Sequence, residues 1–447
     1  MSDPQSRRAT RSDETRRADV VVIGLGSAGE QFATRLAEAG HDVVGFEPGL
    51  VGGECPYLAC IPSKSMLHDM HTDRSWQEAV ARRDELASHR DDQQHADDLV
   101  EAGVELRRET AQLSGERTVT GEHGVVKADH VVIATGAGAV LPDIDGIDHE
   151  RVWTSADALR STERPDRLLV LGGGAIGCEL SQVYASFGTE VVLVDHGDHL
   201  LSDADPEVSS HLAARLRDDG VNVRLGVTVE RIEPSDTDAL VTLGDGTSIT
   251  VDRILVAAGV EPRLGGLGLD SVGLDPDALE IDDDGSIDGI GWLWAIGDVT
   301  PTSSWTHGAN RQAKALADRL DGRAWPPTRP IFPHCVFTSP PVGMVGANAA
   351  AARADGHDVV VGRATYGDIA RGATDEADQG EVAVVVDRPS GRILGASVVG
   401  PRADDVIQIV TAFMIGDVDI DRAARTVFPF PTYNQVLEVA LEAARNR

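Results

Sequence analysis

The feature that most restricts the fold is a unit that occurs twice. Its first copy is "ADVVVIGLGSAGEQFATRLAEAGHDVVGFE". Asp19 to Ile23 is a short β-branched apolar run, which predicts a buried parallel strand. Gly24-Leu25-Gly26-Ser27-Ala28-Gly29 follows, then a helical pattern to Ala39 and a second strand, Asp42 to Phe46, ending on Glu47. The glycines let the chain turn and let a pyrophosphate approach the helix N-terminus, whose N–H groups favour anions. An acid at Glu47 suits ribose hydroxyls. The second copy, "RLLVLGGGAIGCELSQVYASFGTEVVLVD", puts Gly172, Gly174 and Gly177 in the same frame and closes on Asp195, at the same interval from its first glycine. Two units predict two dinucleotides; one working site beside a decayed copy is the alternative.

Three further segments fit this frame. "ADHVVIATGAG" (128–138) and "VDRILVAAGVEP" (251–262) read as the strands where each unit closes and the chain crosses over. "GWLWAIGDVT" (291–300) reads as a strand ending on Gly297-Asp298, where an acid is placed to bind a cofactor hydroxyl. From about Arg329 the texture changes. "GEVAVVVDRPSGRILGASVVG" (380–400) predicts two antiparallel strands joined at Pro-Ser-Gly, and helical patterns follow at 402–416 and 434–445. The expected fold class is α/β, with two Rossmann-like dinucleotide-binding domains plus a C-terminal α+β dimerisation or substrate domain. The expected segments are a disordered tail (1–18), a first domain (19–147), a second nucleotide domain (148–263), a return to the first (264–326) and an interface domain (327–447).

Composition excludes some partners. A net charge of −33 and pI near 4.6 argue against nucleic acid and anionic membrane. Lysine occurs only at positions 64, 127 and 314; a saline-adapted source would explain the acidity, and the alternative reading, GC-rich coding, explains arginine over lysine equally well. No apolar run is long enough to span a bilayer, and "MSDPQSRRATRSDETRRA" lacks a signal-peptide core, so a cytoplasmic protein is expected.

"GGECPYLACIPSK" (52–64) carries Cys55 and Cys60, with Pro62 and Lys64 behind them. Their spacing permits disulfide reach if a short helical turn is distorted. A structural bridge over so short a loop would stabilise little, which favours redox use. No metal site is expected, because no other Cys or His nearby has ligand spacing. Cys178 and Cys335 read as small buried hydrophobes, and His307 as structural or cofactor-side.

Both fingerprints, "GGECPYLACIPSK", "ATG", "AIGD", "FTSPPVGMVG" and "GRILGASVVG", in this order, resemble the class I flavoprotein pyridine nucleotide–disulfide oxidoreductases, the family of dihydrolipoamide dehydrogenase, glutathione reductase and mercuric reductase. The resemblance implies a homodimer that acts on a small-molecule substrate. It implies FAD on Gly24, Gly26, Gly29, Glu47 and Asp298, and NAD(H) or NADP(H) on Gly172, Gly174, Gly177 and Asp195. Gly53, Lys64, Thr135, Gly136 and Gly259 complete the implied cofactor-binding set. It also implies a Cys55–Cys60 disulfide over the flavin, with Cys60 the thiolate against the ring and Cys55 the thiol that exchanges with substrate. Lys64 and Glu179 match the family's ion pair near the flavin N5. Asp195 favours NADH, with His196 beside it compatible with NADPH.

One departure stands out. Where the disulfide reductases have His-Pro-Thr and a later Glu, this chain has Phe430-Pro431-Thr432 and Gln435. The His is their acid/base, and phenylalanine carries no proton. Three readings follow. One is an NAD(P)H-dependent reductase of disulfides or other electrophiles whose proton comes from elsewhere, Tyr433 being the nearest alternative base. Another is a relative of 2-ketopropyl-coenzyme M oxidoreductase/carboxylase, which also has Phe at the His position. The third is a diaphorase-like electron carrier. A mercuric reductase is disfavoured by the C-terminal "LEAARNR", which lacks a cysteine pair.

Overall fold

The computed structural model describes residues 15–301, 305–323 and 331–447. The expected tail up to residue 14 and the expected boundary at 326/327 lie outside the described residues. Two compact units emerge. Among the described residues, the first falls within 1–57, 88–138 and 261–328; the second falls within 58–87, 139–260 and 329–447.

The first unit is built on an eight-stranded sheet. Its parallel core runs Ile290–Ala295, Gly124–Ile133, Arg16–Ile23, Val43–Phe46, Glu105–Arg107. Val20 to Ile23 are all buried, as a strand covered on both faces requires. The strand starts at Arg16, earlier than the expected Asp19, so residues 16–18 of the predicted tail are strand. Polar side chains hid this start. Arg16 and Arg17 pair in register with Val126 and Lys127, and Arg16 forks between Asp42 (2.5 Å) and Glu105 (3.0 Å). Helices Ser27–Glu38 and Thr306–Leu320 cover one face through Phe32, Leu36, Ala313 and Leu316.

Besides a three-stranded antiparallel sheet (Val229–Pro234, Ala239–Leu243, Ser248–Val251), the second unit holds two five-stranded sheets. One is all parallel, in the order Asn222–Leu225, Glu190–Asp195, Arg167–Leu171, Arg253–Val256, Val152–Trp153. The other is antiparallel, in the order His334–Val336, Val342–Gly346, Ile393–Val399, Glu381–Asp387, Val359–Thr365. Helices Ala403–Ile415 and Gln435–Arg445 pack on the latter. The hairpin at 380–400 and both C-terminal helices match the sequence reading.

Sequence reasoning separated the second nucleotide domain from the C-terminal domain; the structure gives them a common core. Val336, Val342, Met344, Ala383 and Val399 are buried in the same cluster as Leu180, Leu193 and Leu212. Arg363 ties the antiparallel sheet to the start of helix Pro206–Asp218, donating to the helix's N-cap Asp205 (2.9 Å) and to Glu381 (2.6 Å). Residues 58–87 also belong here, because Met66, Leu67, Trp76 and Val80 pack into that cluster. The two compact units meet along the chain at 138/139 and 260/261.

Candidate active site

The first glycine loop is shaped by close backbone approach. Gly24 has φ +94°, and a Cβ on Gly29 would lie 2.0 Å from the Gly24 carbonyl oxygen. Gly53, at φ +74°, brings its backbone against Gly26, where a Cβ would meet Gly26 Cα at 2.8 Å. Helix Ser27–Glu38 begins at Gly26 with no side-chain cap, leaving its first-turn N–H groups for an anion. Glu47 is aimed at this loop, accepting from Leu25 N and Gly49 N, both at 2.8 Å.

Asp298 and its surroundings supply a second polar element of this unit. It follows Gly297 at the end of strand Ile290–Ala295 and is half-buried. Burial and the nearby Glu54 push its carboxyl up to about 6, with Arg263 opposing. No described residue hydrogen-bonds that carboxyl, so it is open to a ligand hydroxyl. Thr135 donates to the Arg263 carbonyl (2.7 Å), Gly136 turns at φ +71°, and Arg263 also pairs with Glu54. A glycine-walled cradle, an uncapped helix start and two acids on one unit fit a flavin dinucleotide.

The second loop repeats the first. Gly172 has φ +115°, a Cβ on Gly177 would lie 1.9 Å from the Gly172 carbonyl oxygen, and helix Ala175–Ser186 starts uncapped at Gly174. Asp195 accepts from Gly173 N (2.5 Å) and Gly197 N (2.6 Å). Gly259 is also in the second unit, at φ +123° with open space where a Cβ would go. These groups fit a second dinucleotide.

The cysteine segment is a broken helix. Helix Glu54–Tyr57 stops, Ala59 takes φ −134° and ψ −92°, and helix Cys60–Asp69 begins. Cys55 falls in the first unit, where its Sγ accepts from Thr306 Oγ1 at 3.4 Å. Cys60 opens the longer helix in the second unit. Lys64, one turn on, pairs with Glu179 at 2.8 and 3.1 Å. Glu179 is buried and also accepts from Phe337 N (2.8 Å), while the Lys64 ammonium lies 5.0 Å from the Phe337 ring centroid. A buried carboxylate with these partners holds the lysine in one place. Cys178 is fully buried, as expected; Cys335 is only half-buried, and burial pushes its thiol up to about 11.

The C-terminal run has no ionisable group at its two altered positions. Phe430 is 75% exposed, and Gln435 opens helix Gln435–Arg445 with its Oε1 toward Thr432 N (3.4 Å). Tyr433 is corrected as a candidate base. Its phenol donates to Asp375 (2.7 Å), and this hydrogen bond raises its pKa, so it keeps its proton. Thr306 and Phe337 were missed by sequence reasoning; neither residue type signals such a contact, and each partner is far off in sequence.

Comparison with known proteins gives a consistent picture. Residues 18–313 match the family model for pyridine nucleotide-disulphide oxidoreductases, and residues 332–441 match that family's dimerisation domain. A dihydrolipoyl dehydrogenase from Zymomonas mobilis is 31% identical over 467 residues, covering 96% of this chain and 98% of that protein. A glutathione reductase from Burkholderia cepacia is 31% identical over 413 residues, covering 87% and 91%. Among solved structures, the HOCl-induced flavoprotein disulfide reductase RclA from Escherichia coli superposes with TM-score 0.86 at 26% identity, covering 96% and 99%. No helix among the described residues is long and apolar enough to cross a membrane. The chain belongs to the pyridine nucleotide–disulphide oxidoreductase family and is an FAD-dependent NAD(P)H oxidoreductase.

Proposed function

We propose that the protein is a homodimeric disulfide reductase in which Cys55 and Cys60 form the redox-active pair. The observation that carries this reading is the Lys64–Glu179 pair. Lys64 stands four residues after Cys60 on helix Cys60–Asp69, so its charge is on the same helix face as the sulfur. FAD, which the first glycine loop, Glu47 and Asp298 would hold, would supply acceptance of hydride from NAD(P)H and passage of the electron pair to the disulfide. Lys64, held by Glu179, supplies positive charge on this side of the site. Asp195, locked by two backbone N–H groups, presents a carboxylate to the ribose, which favours NADH over NADPH.

Cys55 thiolate would then attack a substrate disulfide. The leaving thiolate finds no proton on Phe430 or Gln435, and Tyr433 is tied to Asp375. Loss of a general acid costs on the order of 10²–10⁴ in rate. The reading therefore favours substrates whose leaving thiol is acidic, since these depart without protonation, and other small electrophiles. The relatives named above are a dehydrogenase and reductases of this class; they lend no support to the carboxylase-like or diaphorase-like readings.

Anaerobic titration with NADH tests this. Reduction in two steps is expected, with a long-wavelength thiolate–flavin band that disappears in Cys60→Ser. The reduced protein should then be reoxidised faster by an aromatic disulfide than by an alkyl one. Bleaching in a single two-electron step, with no such band, would overturn the proposal.

A further inference from the structure

We infer that Thr306 is a catalytic residue of the thiol-exchange step, donating a hydrogen bond that holds Cys55 as a thiolate. This rests on the reading of Cys55 as the exchange thiol. The contact is direct: Thr306 Oγ1 lies 3.4 Å from Cys55 Sγ, across 251 residues of sequence. A threonine hydroxyl is a donor, and a thiolate is the stronger acceptor, so the contact favours the charged sulfur.

The place of Thr306 adds to this. It is the first residue of helix Thr306–Leu320, whose N-terminal end carries the positive pole of the helix dipole. Cysteines at such ends are more readily ionised. On either side of Thr306 the Trp305 and His307 rings stack at 6.5 Å between centroids. Thr306 is half-buried, which limits competition from water.

The role also fits what the chain lacks. No ionisable group stands at positions 430 or 435 to draw a proton from the thiol. A hydroxyl that stabilises charge without moving a proton leaves a nucleophile poised at neutral pH. Cys55 thiolate attacks one sulfur of the substrate, forming a mixed disulfide and expelling one thiolate. Cys60 thiolate then attacks Cys55 Sγ, closing the Cys55–Cys60 bond and releasing the second thiolate. The two electrons come from NAD(P)H, and both released thiolates are protonated from water.

The test compares wild type, Thr306→Val, Thr306→Ser and Cys55→Ser. Each NADH-reduced holoenzyme is alkylated with iodoacetamide across a pH range, and modification of Cys55 is followed by peptide mapping. Thr306→Val, which keeps the shape and loses the hydroxyl, should alkylate about tenfold more slowly at pH 7 and shift its pH midpoint upward. Thr306→Ser should restore most of the wild-type profile. An unchanged profile in Thr306→Val, with flavin retained and Cys55→Ser inactive, overturns the role of Thr306 alone. Disulfide turnover that survives in Cys55→Ser overturns the reading of Cys55 beneath it.

Discussion

The two nucleotide loops share a backbone and differ in what covers them. Both turn on a first glycine in the left-handed region, and in both the last glycine lies against the carbonyl of the first. Both closing acids accept backbone N–H groups of their own loop. The middle glycine separates them. Gly26 is bridged to Gly52 and faces Gly53, so the segment leading to Cys55 lies over the first loop. Gly174 has nothing within 4 Å of where its Cβ would stand. The covered loop suits a cofactor that stays through many turnovers, and the open loop suits a dinucleotide that enters and leaves each cycle.

The largest expected effect comes from the glycines common to both. Gly29→Val places atoms inside the Gly24 carbonyl, so the purified protein should lose its yellow colour. Gly177→Val should keep the flavin and abolish its reduction by NADH. Flavin absorbance per chain and stopped-flow reduction read the two outcomes; a colourless Gly177→Val would break the assignment of separate sites.

A smaller effect separates the covers. Gly53→Ala combines φ +74° with a 2.8 Å approach to Gly26 Cα, a strain on the order of 1–3 kcal/mol. Its flavin dissociation constant should rise roughly tenfold to a hundredfold. Gly174→Ala meets open space and should leave flavin affinity unchanged. Equal flavin loss in both variants would contradict the difference drawn between the loops.

The smallest effect is a pH dependence expected from the first unit. The Asp298 carboxyl is held up at about 6 against an ordinary 3.8 by burial. A raised carboxyl binds its proton more tightly in the folded state. Its contribution to stability is therefore full below about 4 and is lost as pH climbs through about 6. Thermal melting of the flavin-free protein should show Asp298→Asn gaining a few degrees at pH 7.5 and little at pH 4. The same variant should bind flavin more weakly; a melting gain independent of pH would remove the explanation.

Much of this organisation was legible because it is local. A strand, a glycine turn, a helix and an acid are neighbours in sequence, so periodicity and spacing expose both nucleotide units and the cysteine segment. The strand start at Arg16 was not legible, because its polar side chains are satisfied by Asp42 and Glu105 rather than by burial. The common core of the second nucleotide sheet and the C-terminal sheet was also invisible. Each half reads as a complete apolar pattern, and nothing local says that Leu180 meets Met344 in one cluster.

The sequence by itself determined the two dinucleotide units, the order of cysteines and lysine, and the absence of any ionisable side chain at 430 and 435. Those follow from residue identity and short-range geometry. Only the tertiary structure decided that Tyr433 is tied to Asp375, that Phe337 N braces Glu179, and that the hydroxyl of Thr306 reaches Cys55. The last two contacts join residues 158 and 251 positions apart. Hydrogen bonds over such intervals form where strand order and helix packing bring the partners together, and no pattern along the chain records them.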